Sequence, residues 1–434
     1  MQRALWVQTI AGVQWLGFMF ANTVVIPLSV GSAFHQPPEM VAGAMSRSFV
    51  VTGIACLVQW LIGHRLPLME GQSGMWWSVI LGLAQLGVAS GVPLPVVGGS
   101  LSVGIVLGGL LVVIFGVLGL HRWLNRWFSP VVMATLLFLL SSQLISIFFR
   151  GMLGMTASGR LIIPVALLSL TVVVLVSALT IAGRGLINHF AILIGLAGGW
   201  LAYQLLFGAS QRLVVPRWTD IAQGFAWGPA HWQLSMVLTC ATTALLNTTN
   251  TIATLRAAEP VFQTRIRDVQ YRRSLLLSGL FTAVSGPLAL VPYAPYTSSI
   301  GFLRTTRLLD GTPFAIGAAL FTMLGAIPTL SGFFATLPES VGSAVLFVAY
   351  LQLFGAALNN LQGIAFDFRT IFRIALPTLL GLAIQNTPSE AFATLPSLLQ
   401  PLLSNGMLVG IIVSVLLERL PWRRWTQQAS KDGS

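Results

Sequence analysis

Carboxylates are scarce in this sequence, and none is read as interrupting a membrane-length apolar run. All eleven (Glu39, Glu70, Asp220, Glu259, Asp268, Asp310, Glu339, Asp367, Glu390, Glu418 and Asp432) fall in connections or at segment ends. A charge inside a bilayer is costly and is kept mainly for function, often for moving a proton. The expectation is therefore a membrane core without a carboxylate, which binds its ligand through amides, hydroxyls, aromatic rings and backbone. Cysteine is as sparse: Cys56 and Cys240 both lie in apolar segments, which gives neither a disulfide framework nor a metal-ligand spacing. Period-2 alternation is missing, which argues against a β-barrel. There is no His-Glu-x-x-His, no Gly-x-Ser-x-Gly elbow and no buried carboxylate pair, so a membrane enzyme lacks its usual chemistry and no cofactor is expected.

What is present is apolar bulk. The chain has 434 residues, 55% of them hydrophobic and 8% charged, with a mean hydropathy of +0.84. That is too little polar surface to cover a water-soluble body of this size. Runs such as 103–120 and 161–182 are hydrophobic on every side, and in lipid such runs must be helices because each backbone group needs an internal partner. The fold class is an all-α polytopic membrane protein, with lipid as a partner. A net charge of +12 raises the question of nucleic acid, but the basic residues are scattered through short loops and the C-terminal end without a basic domain, so no nucleic-acid partner is expected. The stretch after Met1-Gln2-Arg3 continues past Pro27 without a small-residue cleavage site and reads as a retained first helix.

The spans are expected at 8–30, 48–63, 68–88, 103–120, 129–149, 161–182, 187–207, 232–255, 274–291, 293–305, 313–329, 338–357, 371–386 and 403–419, about fourteen in all. Alternate loops gather Arg65, Arg122, Arg126, Arg184, Arg256, Arg265, Arg267, Arg272, Arg273, Arg304, Arg307, Arg369, Arg373 and the tail with Arg419, Arg423, Arg424 and Lys431. The opposite loops hold Arg47, Arg150, Arg160, Arg212 and Arg217. This asymmetry puts both termini in the cytoplasm and supports an even number of spans; the expected location is a cytoplasmic (bacterial inner) membrane.

Two features suggest duplicated halves. Pro130-Val131-Val132-Met133-Ala134-Thr135 echoes Pro338-Glu339-Ser340-Val341-Gly342-Ser343 seven spans later, and an odd number of spans per half inverts the second copy. Two unrelated helices starting with Pro and small residues for packing would produce the same echo. In addition, the third and tenth spans are interrupted by Gly and Pro, at Leu66-Pro67 to Ser73-Gly74 and at Gly286-Pro287 to Ser299-Ile300-Gly301. Kinked packing helices carry such residues too. Matched interrupted spans, however, point to a transporter binding site, because unwound backbone at membrane depth survives only against protein or a cavity. The expected division is 1–207 and 232–419 as two repeats, with 420–434 as a cytoplasmic tail.

In the order of these patterns the chain resembles the xanthine/uracil permease family, the nucleobase:cation symporters that include nucleobase and ascorbate transporters. The likeness runs from the first span (Gly12 to Pro27) through Leu66-Pro67 to Gly71-Gln72-Ser73, then Leu337-Pro338 to Gly342, and then Phe366-Asp367-Phe368-Arg369-Thr370. The resemblance implies 7+7 inverted helices in core and gate domains, short β-strands in segments 3 and 10, half-helix N-termini aimed at the substrate, and dimers through the gate domain. A flat neutral heterocycle suits such a site, since backbone amides, amide side chains and an aromatic face can bind it without a charge.

The family's Gln-His pair falls on Gln14 and Trp15. Its eighth-helix Glu and later Asp, which bind the base and link to proton uptake, fall on Asn247 and Thr251. Its tenth-segment Glu or Gln followed by Asn falls on Ser298 and Ser299, or on Pro295 and Tyr296 with a shift of three residues. The substrate-binding candidates are thus Asn247, Ser298, Ser299, Gln14, Gln72, Ser73, Gly74 and Trp15, with Asn22 and Asn250 beside them and Asn247 and Thr251 at the coupling position. Asn247 can offer an acceptor and donors to a base edge, but an amide does not titrate near neutral pH, so proton symport through this position is excluded. Trp15, Trp76 and Trp77 could stack on a base, and Tyr293 and Tyr296 compete for one role. Gln59, Gln143, Gln352 and Gln385 read as interhelical glue. His35, His64, His121 and His231 read as interfacial, and His189 opens the seventh span. The expected function is transport of a purine-type nucleobase or related heterocycle by alternating access. The alternative is an anion transporter or channel of the same 7+7 fold, weakened because no Arg or Lys faces the broken segments except Arg304 near a helix end.

Overall fold

Backbone amides in hydrocarbon must pair within their own segment, and the apolar runs answer with helices. The protein is described here from a computed structural model, which describes residues 2–120, 127–154, 160–183, 190–208, 213–392, 394–396 and 399–420. His121, Arg122, Arg126, Arg184, His189, Arg212 and the tail 421–434 lie outside the described residues. The first half contains α1 (Gln2–Thr23), α2 (Val25–Ala33), α3 (Pro38–Leu61), β1 (Glu70–Gln72), α4 (Gly74–Ala89), α5 (Leu94–Leu118), α6 (Pro130–Met152), α7 (Ile163–Ala182) and α8 (Ala191–Phe207). After a short α9 (Trp218–Ala222) come α10 (Leu234–Phe262), α11 (Asp268–Ser285), β2 (Tyr293–Pro295), α12 (Ser298–Thr306), α13 (Gly311–Ala326), α14 (Pro328–Phe334), α15 (Glu339–Asn360), α16 (Phe368–Asn386), α17 (Gln400–Leu403) and α18 (Gly406–Arg419).

Local chemistry sets the boundaries. Proline occupies the first turn of α3, α5, α6, α7 and α14, where its missing N–H costs nothing. Side chains of Ser129, Asp367 and Asn405 cap α6, α16 and α18. The Thr370 N–H holds the exposed Asp367 carboxyl below its usual range. Among the described residues, seven helical stretches are long and apolar enough to cross a membrane, one of them α1 running on into α2, and α13 with α14 forms a further pair bent by 91°.

The helices pack as two groups. In one, α5 lies against α10 and α11, and α13 lies against α1 and α3; in the other, α15 lies against α6, α7 and α8, and α18 lies against α6 and α16. Small residues permit the closest crossing: a Cβ at Gly109 would stand 2.3 Å from the Ala283 backbone N, and one at Gly279 would stand 2.7 Å from the Val113 N.

Arg47 corrects the sequence reading, which set it in an outer loop before a span starting at 48. Because α3 begins at Pro38, Arg47 lies inside the helix and is 4% exposed. Its guanidinium donates to the carbonyls of Leu288 (2.9 Å), Asp220 (2.7 Å) and Ile221 (3.1 Å). A cation therefore does stand beside the broken tenth segment, spent on carbonyls that an interrupted helix leaves without donors. Arg47→Met is expected to cost about 3 kcal/mol by stranding these groups, read as a lower unfolding midpoint in detergent. An unchanged midpoint would mean that water replaces the guanidinium.

Candidate functional site

The two interrupted segments meet. β1 and β2 pair antiparallel, with Glu70 opposite Pro295, Gly71 opposite Ala294 and Gln72 opposite Tyr293. The ladder extends one step each way, through Ser73 N to the Pro292 carbonyl (2.8 Å) and Tyr296 N to the Met69 carbonyl (2.8 Å). All six strand residues are buried. So short a ribbon has two open edges, which in a membrane core must be closed by something other than water.

Side chains close them. On the β2 edge, α10 supplies Asn247, whose Nδ2 donates to the Tyr293 carbonyl (3.0 Å), and Thr254, whose hydroxyl donates to the Pro295 carbonyl (3.2 Å). Pro292 and Pro295 carry no N–H, so that edge has fewer donors to satisfy. On the β1 edge, Met69 N donates to Ser299 Oγ (3.1 Å) and Glu70 N to Cys56 Sγ (3.3 Å). A hydroxyl- and amide-rich stripe on α10 thus stands in for a third strand.

Asn247 also ties the ribbon to α4, because its Oδ1 accepts from Ser73 Oγ (2.6 Å) and from Asn250 Nδ2 (3.0 Å). Thr251 is buried on the same stripe, and Thr297 bonds to Thr254 at 2.8 Å. From the ends of the ribbon, α4 starts at Gly74 and α12 at Ser298, neither with a side-chain cap. Both first turns therefore present N–H groups and the positive end of a helix dipole. At Gly74 the second helix group comes close, since a Cβ there would meet Leu144 at 3.1 Å and Tyr350 at 3.6 Å. Tyr350 is hydrogen-bonded to Tyr296, and the Tyr296 hydroxyl also donates to the Gln72 carbonyl (2.5 Å). Gln72 donates to Ser48 Oγ (3.2 Å) and keeps its Oε1 buried without a partner.

The structure therefore brings Gln72, Ser73, Gly74, Asn247, Asn250, Thr251, Ser298 and Ser299 into one locality. Pro295 and Tyr296, the shifted alternative to Ser298 and Ser299, lie there too, but in the ribbon rather than on α12. Gln14 and Asn22 instead line a small separate cavity with Phe18, Phe190, Leu193 and Phe302. Trp15 is fully buried, its ring enclosed by Phe18, Phe302 and Phe314 with no free face for a base. Trp76 and Trp77 are likewise buried, Trp77 donating to Ser29 Oγ (2.8 Å). Tyr293 and Tyr296 have separate roles, since the Tyr293 hydroxyl is bonded to Thr52 (3.2 Å) on α3. Tyr350, Thr254 and Ser48 were not legible as site residues, because each is a common membrane-helix residue until its partner is placed.

Two further corrections concern burial. His64, read as interfacial, is fully buried and accepts from Leu66 N through Nδ1 (3.1 Å). Glu70, read as a segment end, is fully buried in β1, so the core does carry a carboxylate. A segment end in sequence is mid-segment in space once the chain enters as a strand.

The family model Xan_ur_permease, described as "Permease family", matches residues 7–390. The chain belongs to the xanthine/uracil permease family. This permease is 28% identical over 434 aligned residues to the Bacillus subtilis protein named "Putative purine permease YwdJ", covering 96% of each chain. It is 21% identical to the uric acid permease PucK of the same organism, covering 94% of this chain and 93% of that one, and 23% identical to its xanthine permease, covering 94% and 92%. The relatives are permeases and not enzymes, and the chain is a multi-pass membrane transporter. Its fold is similar to the transmembrane domain of a cyanobacterium bicarbonate transporter BicA (TM-score 0.61, 15% identity, 97% of this chain and 98% of that one). It is similar also to the murine anion transporter Slc26a9 (TM-score 0.60, 13% identity, 95% and 68%).

Proposed function

We propose that the permease carries a purine-type nucleobase or a related planar heterocycle by alternating access. The observation that supports this reading best is the ribbon of β1 and β2, with two uncapped helix N-termini and its edges closed by Asn247 and Thr254. Such a site offers N–H groups, a free Gln72 Oε1 and the Tyr296 and Tyr350 rings, which matches a heterocycle with alternating donors and acceptors on its edge. The base would dock beside Gly74, between the α4 N-terminus and the Leu144 and Tyr350 flank, once that flank moves away. Fourteen segments in two inverted repeats, 1–207 and 232–419, fit the matched breaks. The group built on α1, α3, α5, α10, α11 and α13 serves as the core, and that built on α6, α7, α8, α15, α16 and α18 as the gate. By family resemblance the gate is also the face for a homodimer, and both termini are cytoplasmic.

An anion substrate is disfavoured because Arg47, the cation bonded to the broken tenth segment, has its guanidinium engaged by three carbonyls. Uptake of labelled xanthine, uric acid, adenine and uracil into cells lacking their own permeases tests the reading, with bicarbonate and sulfate measured beside them. Saturable uptake of at least one heterocycle and of neither anion is expected. Uptake of an anion alone would overturn it.

A further inference from the structure

Glu70 is the one acid in the ribbon, and nothing in the proposed binding step uses it. Its Oε1 accepts from Ser278 Oγ (2.5 Å) and the Gln59 amide also bears on the carboxyl, while Oε2 is buried without a geometric hydrogen-bond partner. No arginine, lysine or histidine pairs with it among the described residues. The titratable groups that face it are neutral ones: the Cys56 thiol of α3, which bonds the Glu70 backbone, and the Tyr293 hydroxyl of β2. Tyr296, just beyond β2, spends its hydroxyl on the Gln72 carbonyl. His64 is engaged by Leu66 N, and Arg272 and Arg273 at the start of α11 are exposed. A bare carboxylate so enclosed has neither a countercharge nor enough donors, whereas a neutral carboxyl avoids the larger cost.

A polar trail leaves this carboxyl through otherwise apolar helices. Ser278 Oγ accepts from Gln59 Nε2 (3.1 Å), Gln59 Nε2 also reaches the Ser274 carbonyl (3.1 Å), and Ser274 Oγ is buried without a partner. Ser274 is one residue from the exposed Arg273 at the α11 end. Gln59, read from sequence as interhelical glue, is therefore part of a line of groups from the ribbon to the buried Ser274 near the start of α11.

Resting on the transport reading above, we propose that Glu70 is the proton-carrying site of this permease, taking over the coupling that Asn247 cannot perform. In the conformation described here Glu70 holds its proton on a carboxyl oxygen. When water reaches the Gln59–Ser278–Ser274 trail, the O–H bond breaks, water takes the proton, and the carboxylate is left with the Ser278 hydroxyl as donor. Reprotonation from the other side of the membrane restores the neutral acid before the next crossing, with one proton moved per cycle.

The test uses the purified full chain in proteoliposomes, with labelled xanthine and uric acid as probes and an internal pH dye. If the wild type exchanges neither probe nor any other heterocycle, the transport reading itself fails. If it exchanges a probe, substrate-driven proton flux is expected in the wild type. Glu70→Gln is expected to lose that flux at least tenfold, and to lose accumulation against a gradient, while one-for-one exchange stays within about twofold. Wild-type exchange without proton flux, or wild-type flux in Glu70→Gln, overturns the proposal. Should Glu70→Gln not be recovered folded, Glu70→Asp decides: flux that persists with a shifted pH profile supports the assignment, and flux with an unchanged profile overturns it.

Discussion

Replacing Asn247 by leucine is expected to reduce uptake by at least a hundredfold at equal protein in the membrane. Leucine keeps the volume but removes every hydrogen bond of the amide. It strands the Tyr293 carbonyl, Ser73 Oγ and Asn250 Nδ2, which Asn247 contacts at 3.0, 2.6 and 3.0 Å. Each stranded group in a dry site costs roughly 1–3 kcal/mol, and about 3 kcal/mol in total already corresponds to a hundredfold. The loss falls where the ribbon, α4 and α10 join, so binding and geometry fail together. Labelled-base uptake within about threefold of wild type would mean that the ribbon holds its shape without α10.

Gly109→Leu is expected to prevent recovery of monodisperse protein. A Cβ at this position would stand 2.3 Å from the Ala283 N and 2.7 Å from the Gly279 carbonyl, both backbone atoms that no rotamer change can move. Overpacking a core by a few methylenes costs roughly 1–3 kcal/mol where side chains can yield, and here they cannot. Gly198→Ala in α8 is the matched control, since a Cβ there meets nothing within 4 Å. Size-exclusion chromatography of detergent extracts should separate the two. A wild-type profile for Gly109→Leu would mean that α5 and α11 are free to move apart.

Much of the site was legible because its signals are local. Gly and Pro at 66–74 and 286–301 announced two broken segments, and the amides and hydroxyls of 247–254 announced a polar stripe. What stayed hidden depends on depth and partnership. Glu70 looked like a boundary residue, because three residues of strand are too few to show a period. Arg47 looked like a loop cation, since the carbonyls that absorb it lie 173, 174 and 241 residues away. Trp15 looked like a stacking platform, but the phenylalanines that enclose it come partly from α12 and α13. The broken tenth segment also left two registers open, and the chain uses both stretches: Pro295 and Tyr296 continue the ribbon, while Ser298 and Ser299 begin the helix.

Main-chain bonds across β1 and β2 make the two interrupted segments mechanically one piece. Neither half-helix can swing aside without shearing a ladder that has no water to repair it. Under the transport reading proposed above, access from one face of the bilayer and then the other would come from displacement of this whole block along the Leu144 and Tyr350 flank, with the ribbon carried intact rather than opened like a jaw.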